Sequence, residues 1–244
     1  MEVLGIDIGG SGIKGAPVDI TSGKLLNKRM RIPTPQPSSP QAVAAVVKKI
    51  VDTFNWKGPV GCGFPAVVRD GVVRTASNID KNWIGTPVNK LFSDKTGLPF
   101  NVLNDADAAG YAEISFGAGK GRKGVIIIVT VGTGIGSAIF FDGQLVPNTE
   151  LGHVFLKDIE AEKYTSDAVR KKEDLPWPKW AKRFNKYLQH LEKLFWPDLI
   201  IIGGGMSKKK EKFFDNITLN CELVEAKLLN HAGIIGAALT VNNQ

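Results

Sequence analysis

The sequence of 244 residues has little cysteine and no long apolar run, and both absences narrow the classes of protein that it can encode. Its cysteines, Cys62 and Cys221, are too few for a disulfide framework and lack the spacing of a four-ligand metal site. No apolar stretch approaches the ~20 residues that cross a bilayer. No basic segment precedes an apolar core near Met1, so no signal peptide is predicted. We therefore expect a cytoplasmic protein that does not bind a membrane.

Basic residues outnumber acidic ones, 31 against 24, which gives a formal net charge of +7. Such a surface favours nucleic acids, phosphorylated small molecules or polyanions, but it is equally a common means of solubility. Because aromatic residues are not interleaved with the basic clusters as stacking platforms, we do not expect a nucleic-acid partner. Any one cluster is most simply a solvated face. The basic clusters are Lys120, Arg122 and Lys123; Lys179, Lys182, Arg183 and Lys186; and Lys208, Lys209, Lys210 and Lys212.

Two segments of the chain repeat nearly the same glycine turn, SGIKGA from Ser11 and GTGIGSA from Gly132. Glycine permits positive φ and lets backbone N–H groups approach a ligand without obstruction by Cβ. Two such turns on facing domains would hold a chain of phosphates from both sides, whereas two unrelated tight hairpins would need no ligand. The first turn also fits G-x-G-x-x-G, but a strand rather than a helix follows it. A dinucleotide-binding fold is therefore not predicted.

Apolar runs and helical stripes alternate along the chain and predict an α/β protein. Ser39 is the predicted N-cap of a helix that starts at Pro40, and Asp105 stands at the start of another helix. No flexible linker stands out, so the chain is expected to form closely packed domains. Strands are predicted at 3–8, 99–105, 125–131, 137–141 and 198–205, with further helices from about Pro178 and over 232–241.

Polar side chains lie where several predicted strands end. Asp7 interrupts an apolar strand beside the first glycine turn, where it could hold Mg²⁺ through water or only cap the turn. Asp105 is either a helix N-cap, which its position alone favours, or a general base. Glu150 and His153, three residues apart, could hydrogen-bond neighbouring hydroxyl groups. With no cysteine beside them, this pair does not predict zinc.

Taken in order, VLGIDIGGSGIKGAPVD (3–19), LNDADAAG (103–110), VTVGTGIGSAIF (129–140) and ELGH (150–153) resemble the ROK family of sugar kinases, within the actin–hexokinase–Hsp70 superfamily. The resemblance implies two actin-like, ribonuclease H-like α/β domains with a central cleft. The sugar would lie deep inside and the phosphoryl donor between the hairpins. We place a smaller N-terminal domain at 1–106, joined by the C-terminal helix 232–244, and a larger domain at 107–231.

The resemblance also assigns roles to individual residues. Asp105 matches the catalytic base, which accepts the proton of the sugar hydroxyl. Backbone N–H groups of the glycine turns hold the donor, and Mg²⁺ lies near Asp7. The implied sugar ligands are Asn78, Asn104, Asp105, Glu150, His153 and Glu162. The implied donor ligands are Gly9, Gly10, Ser11, Gly12, Lys14, Gly132, Thr133, Gly134, Gly204, Lys208 and Lys212.

One departure from the family pattern is informative. Residues 154–161 read FLKDIEAE, where typical members carry a CxCGxxGC zinc motif, so no zinc is expected. Short chains without that motif, with SKxxxKF after GGG and DLPWxxW before the long helix, resemble the polyphosphate-using glucokinases of the family. The implied reaction transfers a phosphoryl group from inorganic polyphosphate, and also from ATP, to the 6-hydroxyl of glucose, in a homodimer.

Two alternatives stay open. A strictly ATP-dependent hexokinase of the same family, acting on glucose, mannose or fructose, would differ only in donor or sugar. A non-catalytic sugar-binding regulator would need a DNA-binding helix-turn-helix ahead of the first strand, which begins near Val3, so it is disfavoured.

Overall fold

The computed structural model describes residues 1–77 and 79–242, and the chain divides into two compact units. Unit 1 comprises Met1–Phe116 and His231–Gln244, and unit 2 comprises Gly117–Asn230. The boundary predicted after residue 106 falls inside a helix that belongs entirely to unit 1. Unit 1 is therefore the longer of the two, although the sequence predicted a smaller N-terminal domain.

Short strands and helices follow one another throughout the described residues. The sequence predicted part of them, where an apolar run or stripe is sustained. In chain order the strands are β1 (Glu2–Gly9), β2 (Gly12–Asp19), β3 (Lys24–Leu25), β4 (Met30–Ile32), β5 (Val60–Phe64), β6 (Val68–Arg69), β7 (Val72–Val73), β8 (Phe100–Asn104), β9 (Val125–Val131), β10 (Ile135–Phe141), β11 (Gln144–Val146), β12 (Phe155–Leu156), β13 (Ile159–Glu160), β14 (Leu199–Gly204) and β15 (Glu222–Glu225).

The helices include the four that were predicted. Ser39 caps α1 as predicted, since its side chain accepts a hydrogen bond from the Ala42 N–H. The α-helices are α1 (Pro40–Thr53), α2 (Val88–Thr96), α3 (Asp105–Phe116), α4 (Ala161–Thr165), α5 (Asp167–Lys172), α6 (Trp177–Phe195) and α7 (Ala232–Leu239), with 3₁₀ segments at Lys81–Trp83, Leu151–His153, Ser207–Lys212, Phe214–Asn216, Leu229–His231 and Thr240–Asn242.

Unit 1 is built on a mixed sheet with the strand order β3-β2-β1-β5-β8, in which β4 also pairs with β2. β1 and β2 form an antiparallel hairpin, whereas β1, β5 and β8 run parallel. Helix α7 packs against this sheet and against α3. At each of these contacts a glycine on one element leaves room for the backbone of the other. A Cβ on Gly61 would overlap the Ala237 carbonyl group, and one on Gly236 would overlap the Ala108 carbonyl group. The C-terminal helix is thus part of the N-terminal unit.

Unit 2 repeats the arrangement with the order β11-β10-β9-β14-β15. β9 and β10 form the hairpin, and β9, β14 and β15 run parallel. Helix α6 covers the sheet with a buried face that includes Trp180, Phe184 and Leu191. Leu194 continues this apolar stripe at helical spacing, but it is 54% exposed in the last turn of the helix, one turn beyond Leu191. Within the described chain, none of the helices combines the length and the apolar character needed to cross a bilayer.

Candidate functional site

The parallel strands of unit 1 bring two predicted acidic residues to the same edge of the sheet. Asp7 on β1 is in register with Gly63 on β5. A Cβ on Gly63 would lie 3.5 Å from the Cα of Asp105, which directly follows β8. In open α/β sheets, ligands bind beyond the carboxyl ends of the strands. Asp7 and Asp105 therefore lie on either side of Gly63, where such a ligand is expected.

Asp7 forms an ion pair with Lys14 across the first hairpin, 2.9 Å from Oδ2 to Nζ. Only 15% of the Asp7 side chain and 24% of the Lys14 side chain are exposed. A Cβ on Gly233, in the first turn of α7, would lie 2.7 Å from the Asp7 carboxyl carbon. The N-terminus of α7 thus lies against the carboxylate, an arrangement that favours negative charge.

A single, partly exposed carboxylate fits Mg²⁺, which keeps several waters and takes further ligands from substrate phosphates. Asp7 is such a group, and the water-mediated contact predicted for it requires no second acidic side chain. Across residues 1–77 and 79–242, no three His, Cys, Asp or Glu side chains form a group that could hold a metal ion.

The first glycine turn is a two-residue loop, because Gly9 pairs with Gly12 in the hairpin. Two side chains hold this loop: Thr34 Oγ1 donates to the Gly9 carbonyl oxygen at 2.5 Å, and Arg31 Nη2 donates to the Ser11 carbonyl oxygen at 2.8 Å. A Cβ on Gly12 would lie 2.7 Å from the Arg31 Nε. Neither the Thr34 contact nor the Arg31 contact was predicted from the sequence.

The glycines of the two turns do not use the positive φ that glycine permits. Glycines 9, 10, 12, 132, 134 and 136 are not among the positive-φ residues of the described chain. The two-residue hairpin at 9–12 and the turn at 132–136 close without left-handed backbone. At Gly12 the requirement is space for the Arg31 guanidinium, whereas at Gly132 a Cβ would contact nothing within 4 Å.

A cavity of about 280 Å³ borders the first turn. The predicted sugar ligand Asn78 lies outside the described residues, but its neighbours Ser77 and Ile79 line this cavity. The contribution of the proline-rich segment 33–40 to this cavity was not predicted from the sequence. The lining residues are Gly9, Gly10, Thr34, Gln36, Pro37, Ser38, Ser77, Ile79 and Asp80.

Asn104, rather than Asp105, caps helix α3. Its Oδ1 accepts hydrogen bonds from the N–H groups of Ala106 and Asp107 at 2.8 and 3.1 Å, and its Nδ2 donates to the Ala66 carbonyl oxygen. The sequence favoured Asp105 as the cap, because Asp is a common residue at that position. The helix begins one residue earlier than that interpretation requires, at Asp105 itself, which places Asp105 in its first turn.

The second glycine turn, in unit 2, is anchored by its own backbone. The Gly132 N–H donates to the Gly134 carbonyl oxygen at 2.9 Å, and the Gly132 carbonyl oxygen accepts from the Asp167 N–H at 3.1 Å. Gly204 has φ of 73°, and a Cβ there would lie 2.8 Å from the Val131 nitrogen. The GGG segment therefore packs against the end of β9. Lys208 and Lys212 follow on the Ser207–Lys212 segment, and both are exposed.

The predicted sugar ligands of unit 2 converge on the start of β10. Glu162 Oε2 accepts from the Ile135 N–H at 2.7 Å, and Gly152 packs on the Ile135 carbonyl oxygen. Ser137, which was not predicted from the sequence, holds the segment that carries Glu150 because its Oγ accepts from the Leu151 N–H at 2.8 Å. These contacts bring Glu150, His153 and Glu162 close together.

The side chains of Glu150, His153 and Glu162 are close enough for their charges to affect one another. Burial raises the pKa of Glu150, with a smaller rise from Glu162 and an opposing contribution from His153. His153 lies between two carboxylates, with Nε2 3.8 Å from Glu150 Oε2 and Nδ1 3.7 Å from Glu160 Oε2. Glu160 belongs to the FLKDIEAE segment and also pairs with Lys163 at 2.8 Å, a hydrogen bond that lowers the pKa of Glu160.

Comparisons with known proteins agree with these observations. The sequence profile of the ROK family matches residues 3–163. The chain is 47% identical over 237 residues to the polyphosphate glucokinase of Mycobacterium tuberculosis, covering 97% of this chain and 89% of that protein.

Solved structures extend the comparison over the whole fold. The inorganic polyphosphate/ATP-glucomannokinase of Arthrobacter sp. strain KM superposes with a TM-score of 0.97 at 45% identity, covering 100% of this chain and 99% of the other. A ROK family glucokinase from Streptomyces griseus, solved in complex with glucose and AMPPNP, gives 0.83 at 25% identity and 98% coverage of both chains. The predicted α/β, two-domain actin-like fold class is thereby confirmed.

Proposed function

Because the chain belongs to the ROK family, we propose that it is a glucokinase that transfers a phosphoryl group from inorganic polyphosphate, and from ATP, to the 6-hydroxyl of glucose. The observation that carries the proposal is the 47% identity, over 97% of this chain, to a polyphosphate glucokinase. The carboxylates at the strand ends of unit 1 support it, since phosphoryl transfer to an alcohol needs a base and a site for the donor phosphates.

Asp105 is the proposed base. Its carboxylate accepts the proton of the 6-hydroxyl while the oxygen attacks the terminal phosphorus of the donor. The bond from that phosphorus to the bridging oxygen breaks, and its electron pair stays on the leaving phosphate. Since Asn104 supplies the cap of α3, the position of Asp105 at the helix start does not require a capping role.

The donor is assigned to the two glycine turns. Backbone N–H groups there would stabilise charge on the phosphates without reorganisation during the reaction. Lys14 adds a positive charge beside the first turn, and Lys208 and Lys212 add two more after Gly204. Mg²⁺, held through water by Asp7, would neutralise charge that develops on the transferred group.

The sugar is assigned to Asn104 and Asp105 of unit 1, to Glu150, His153 and Glu162 of unit 2, and to Asn78. Acceptor carboxylates and an imidazole suit the hydroxyl groups of a hexose. The Asn104 side chain is already engaged with α3 and Ala66, so only one of its N–H bonds is available to the sugar.

A donor assay tests the proposal. Glucose, mannose and fructose are each supplied with long-chain polyphosphate or ATP at equal phosphoryl concentration, and formation of the sugar 6-phosphate is measured. We expect turnover of glucose with both donors. Turnover with ATP alone would establish the ATP-dependent hexokinase instead, and no turnover with either donor would contradict the proposal.

The cellular context is also proposed. The two cysteines, with no disulfide framework, support a cytoplasmic enzyme. A homodimer is proposed from the family resemblance, and size-exclusion chromatography with light scattering tests it: a mass near 26.4 kDa would contradict the dimer.

A further inference from the structure

One tryptophan of unit 2 is surrounded by cationic side chains. The guanidinium carbon of Arg170 lies 4.3 Å from the centroid of the Trp177 ring. The ammonium nitrogens of Lys212 and Lys209 lie 5.4 and 5.6 Å from the same ring. Cations at such distances are attracted to the negative face of an aromatic ring. Arg170, Trp177, Lys209 and Lys212, hereafter the tryptophan cluster, thus place three positive charges around one ring.

Little of this charge is neutralised. Arg170 Nε lies 2.9 Å from Asp167 Oδ1, but Lys171 takes the second oxygen of the same carboxylate at 2.8 Å. Burial alone would raise the pKa of Asp167, yet the hydrogen bonds and charges of Lys171 and Arg170 outweigh it and lower that pKa. Within the described part of the chain, Lys209 and Lys212 pair with no carboxylate. The cluster therefore has a net positive charge.

Some basic residues elsewhere in unit 2 differ in this respect. The clusters found in the sequence are partly neutralised by acidic partners, so composition alone overstates the available charge. The neutralised residues are Arg122, paired with Glu222; Arg183, paired with Glu173 at 2.9 Å; and Lys210, paired with Glu225.

The segments that carry the cluster are both attached to the second glycine turn. Helix α5, which carries Arg170, is joined to it by the hydrogen bond from the Asp167 N–H to the Gly132 carbonyl oxygen. The lysine segment is joined by a hydrogen bond of 3.4 Å from the Met206 N–H to the Val131 carbonyl oxygen. A chain of phosphates held at the turn would reach the cluster by continuing past these two anchor points.

The cluster is also held in shape. Trp177 begins helix α6 and stacks on Phe213 with an interplanar angle of 13°. Phe213 directly follows Lys212 and is fully buried. Arg170 is only 15% exposed, so its guanidinium is fixed between Asp167 and the Trp177 ring. A fixed guanidinium loses little entropy on binding a phosphate group.

We infer that the tryptophan cluster is a distal subsite that binds the part of a polyphosphate chain beyond the phosphates at the second glycine turn. This inference rests on the proposed function and adds a determinant of chain length to it. A linear polyanion gains affinity with each cation that it contacts, through release of counterions. The short triphosphate of ATP does not extend along such a path, so the subsite favours long polyphosphate over ATP.

The test compares Arg170→Gln/Lys209→Gln with a matched control, Lys182→Gln/Lys186→Gln. The control removes the same charge from exposed positions of α6 in the same unit. Binding of long-chain and short-chain polyphosphate is measured by isothermal titration calorimetry, and KM is measured for both polyphosphates and for ATP. For the cluster variant, we expect affinity for long chains to fall about tenfold or more, with a salt-dependence slope reduced by about two. Binding of short chains and KM for ATP should change less than about twofold by the same reasoning.

The possible outcomes separate the subsite from the proposed function. An equal loss for short chains and ATP, or an equal loss in the control variant, would overturn the subsite. Displacement of long-chain polyphosphate by single-stranded DNA of equal charge would overturn its identity as a polyphosphate site. If neither donor supports turnover, the proposed function fails, whereas the calorimetric comparison still decides whether the cluster binds polyphosphate.

Discussion

The ammonium group of Lys14 lies 2.9 Å from Oδ2 of Asp7, across a hairpin whose loop is the first glycine turn. The pair brings opposite charges to the place where donor phosphates and Mg²⁺ are proposed to bind. Either residue alone would leave an uncompensated, partly buried charge beside the N-terminus of α7. The pair therefore has a structural role as well as its proposed catalytic one.

Lys14→Met should reduce the free energy of unfolding by about 1–3 kcal/mol, because it leaves the Asp7 carboxylate without its hydrogen-bonded partner. Asp7→Asn/Lys14→Met should cost less than the sum of the single substitutions. Urea denaturation of the wild type, both single variants and the double variant measures this coupling. Additive losses would show that the two charges do not stabilise one another.

Asp105→Asn should lower kcat by about 10²–10⁴, the usual contribution of a general base, and leave glucose affinity within a modest factor. The amide keeps the shape of the side chain but cannot accept the hydroxyl proton. Steady-state kinetics and calorimetric glucose titration measure the two quantities. Asp52→Asn, at an exposed position of α1 where the carboxylate pairs with Lys48, is the control. Retention of full turnover would remove Asp105 from the proposed role.

Asn104→Ala should lower the free energy of unfolding by about 0.5–2 kcal/mol, the range for loss of a helix N-cap. Asn104→Asp keeps an acceptor oxygen for the N–H groups of Ala106 and Asp107 and should retain most of that stability. Chemical denaturation of both variants provides the comparison. Equal losses for Ala and Asp would indicate that the bond to the Ala66 carbonyl oxygen, rather than the cap, stabilises this corner.

Glu150→Gln should raise the melting temperature near neutral pH. Burial raises the pKa of Glu150 in the folded chain, so its ionised form costs stability above that pKa. The cost disappears as the pH falls below the ordinary value of 4.5, where the folded and unfolded chains are both protonated. Melting curves recorded from acid to neutral pH measure the difference, which should grow with pH.

Glu160→Gln is the opposite-sign control for that measurement. The hydrogen bond from Lys163 lowers the pKa of Glu160, so its carboxylate stabilises the fold above pH 4.5 and loses that effect as the pH falls. This variant should melt earlier than the wild type at neutral pH and match it in acid. Parallel pH profiles for the two variants would contradict both assignments.

Neither cysteine should react readily with a thiol reagent in the native protein at mildly alkaline pH. Burial raises the pKa of Cys62, and burial together with Glu192 raises the pKa of Cys221 to about 12. Since the thiolate is the reactive form, labelling should be slow until the chain unfolds. Labelling with and without urea counts the thiols. Fast native labelling of either residue would show that its segment opens.

The sequence predicts well what local patterns determine. Ser39 before Pro40 predicts the start of α1 because both residues suit the first positions of a helix, and the structure confirms it. The apolar run at 125–131 and the stripe on α6 are equally local, and both elements form where predicted. Leu194 continues the apolar stripe of α6 but is exposed. Burial depends on a neighbouring element, which the local sequence pattern does not reveal.

The candidate site was less predictable because its contacts join distant segments. In a hairpin whose two-residue loop is Gly10 and Ser11, Asp7 lies opposite Lys14. This pair could therefore have been predicted from the sequence. No residue near Asp7 in the sequence indicates that Gly233 lies against the Asp7 carboxylate in the fold. Asn104 and Asp105 are both good capping residues, and a shift of one residue in the helix start decides between them.

Helix α7 completes unit 1, yet a ribosome makes it after every strand of both sheets. Unit 2, synthesised as one continuous stretch, can fold while the first sheet still has an exposed apolar face. The half of the protein that is translated first is therefore finished last, and the exposed sheet must avoid aggregation until its closing helix emerges.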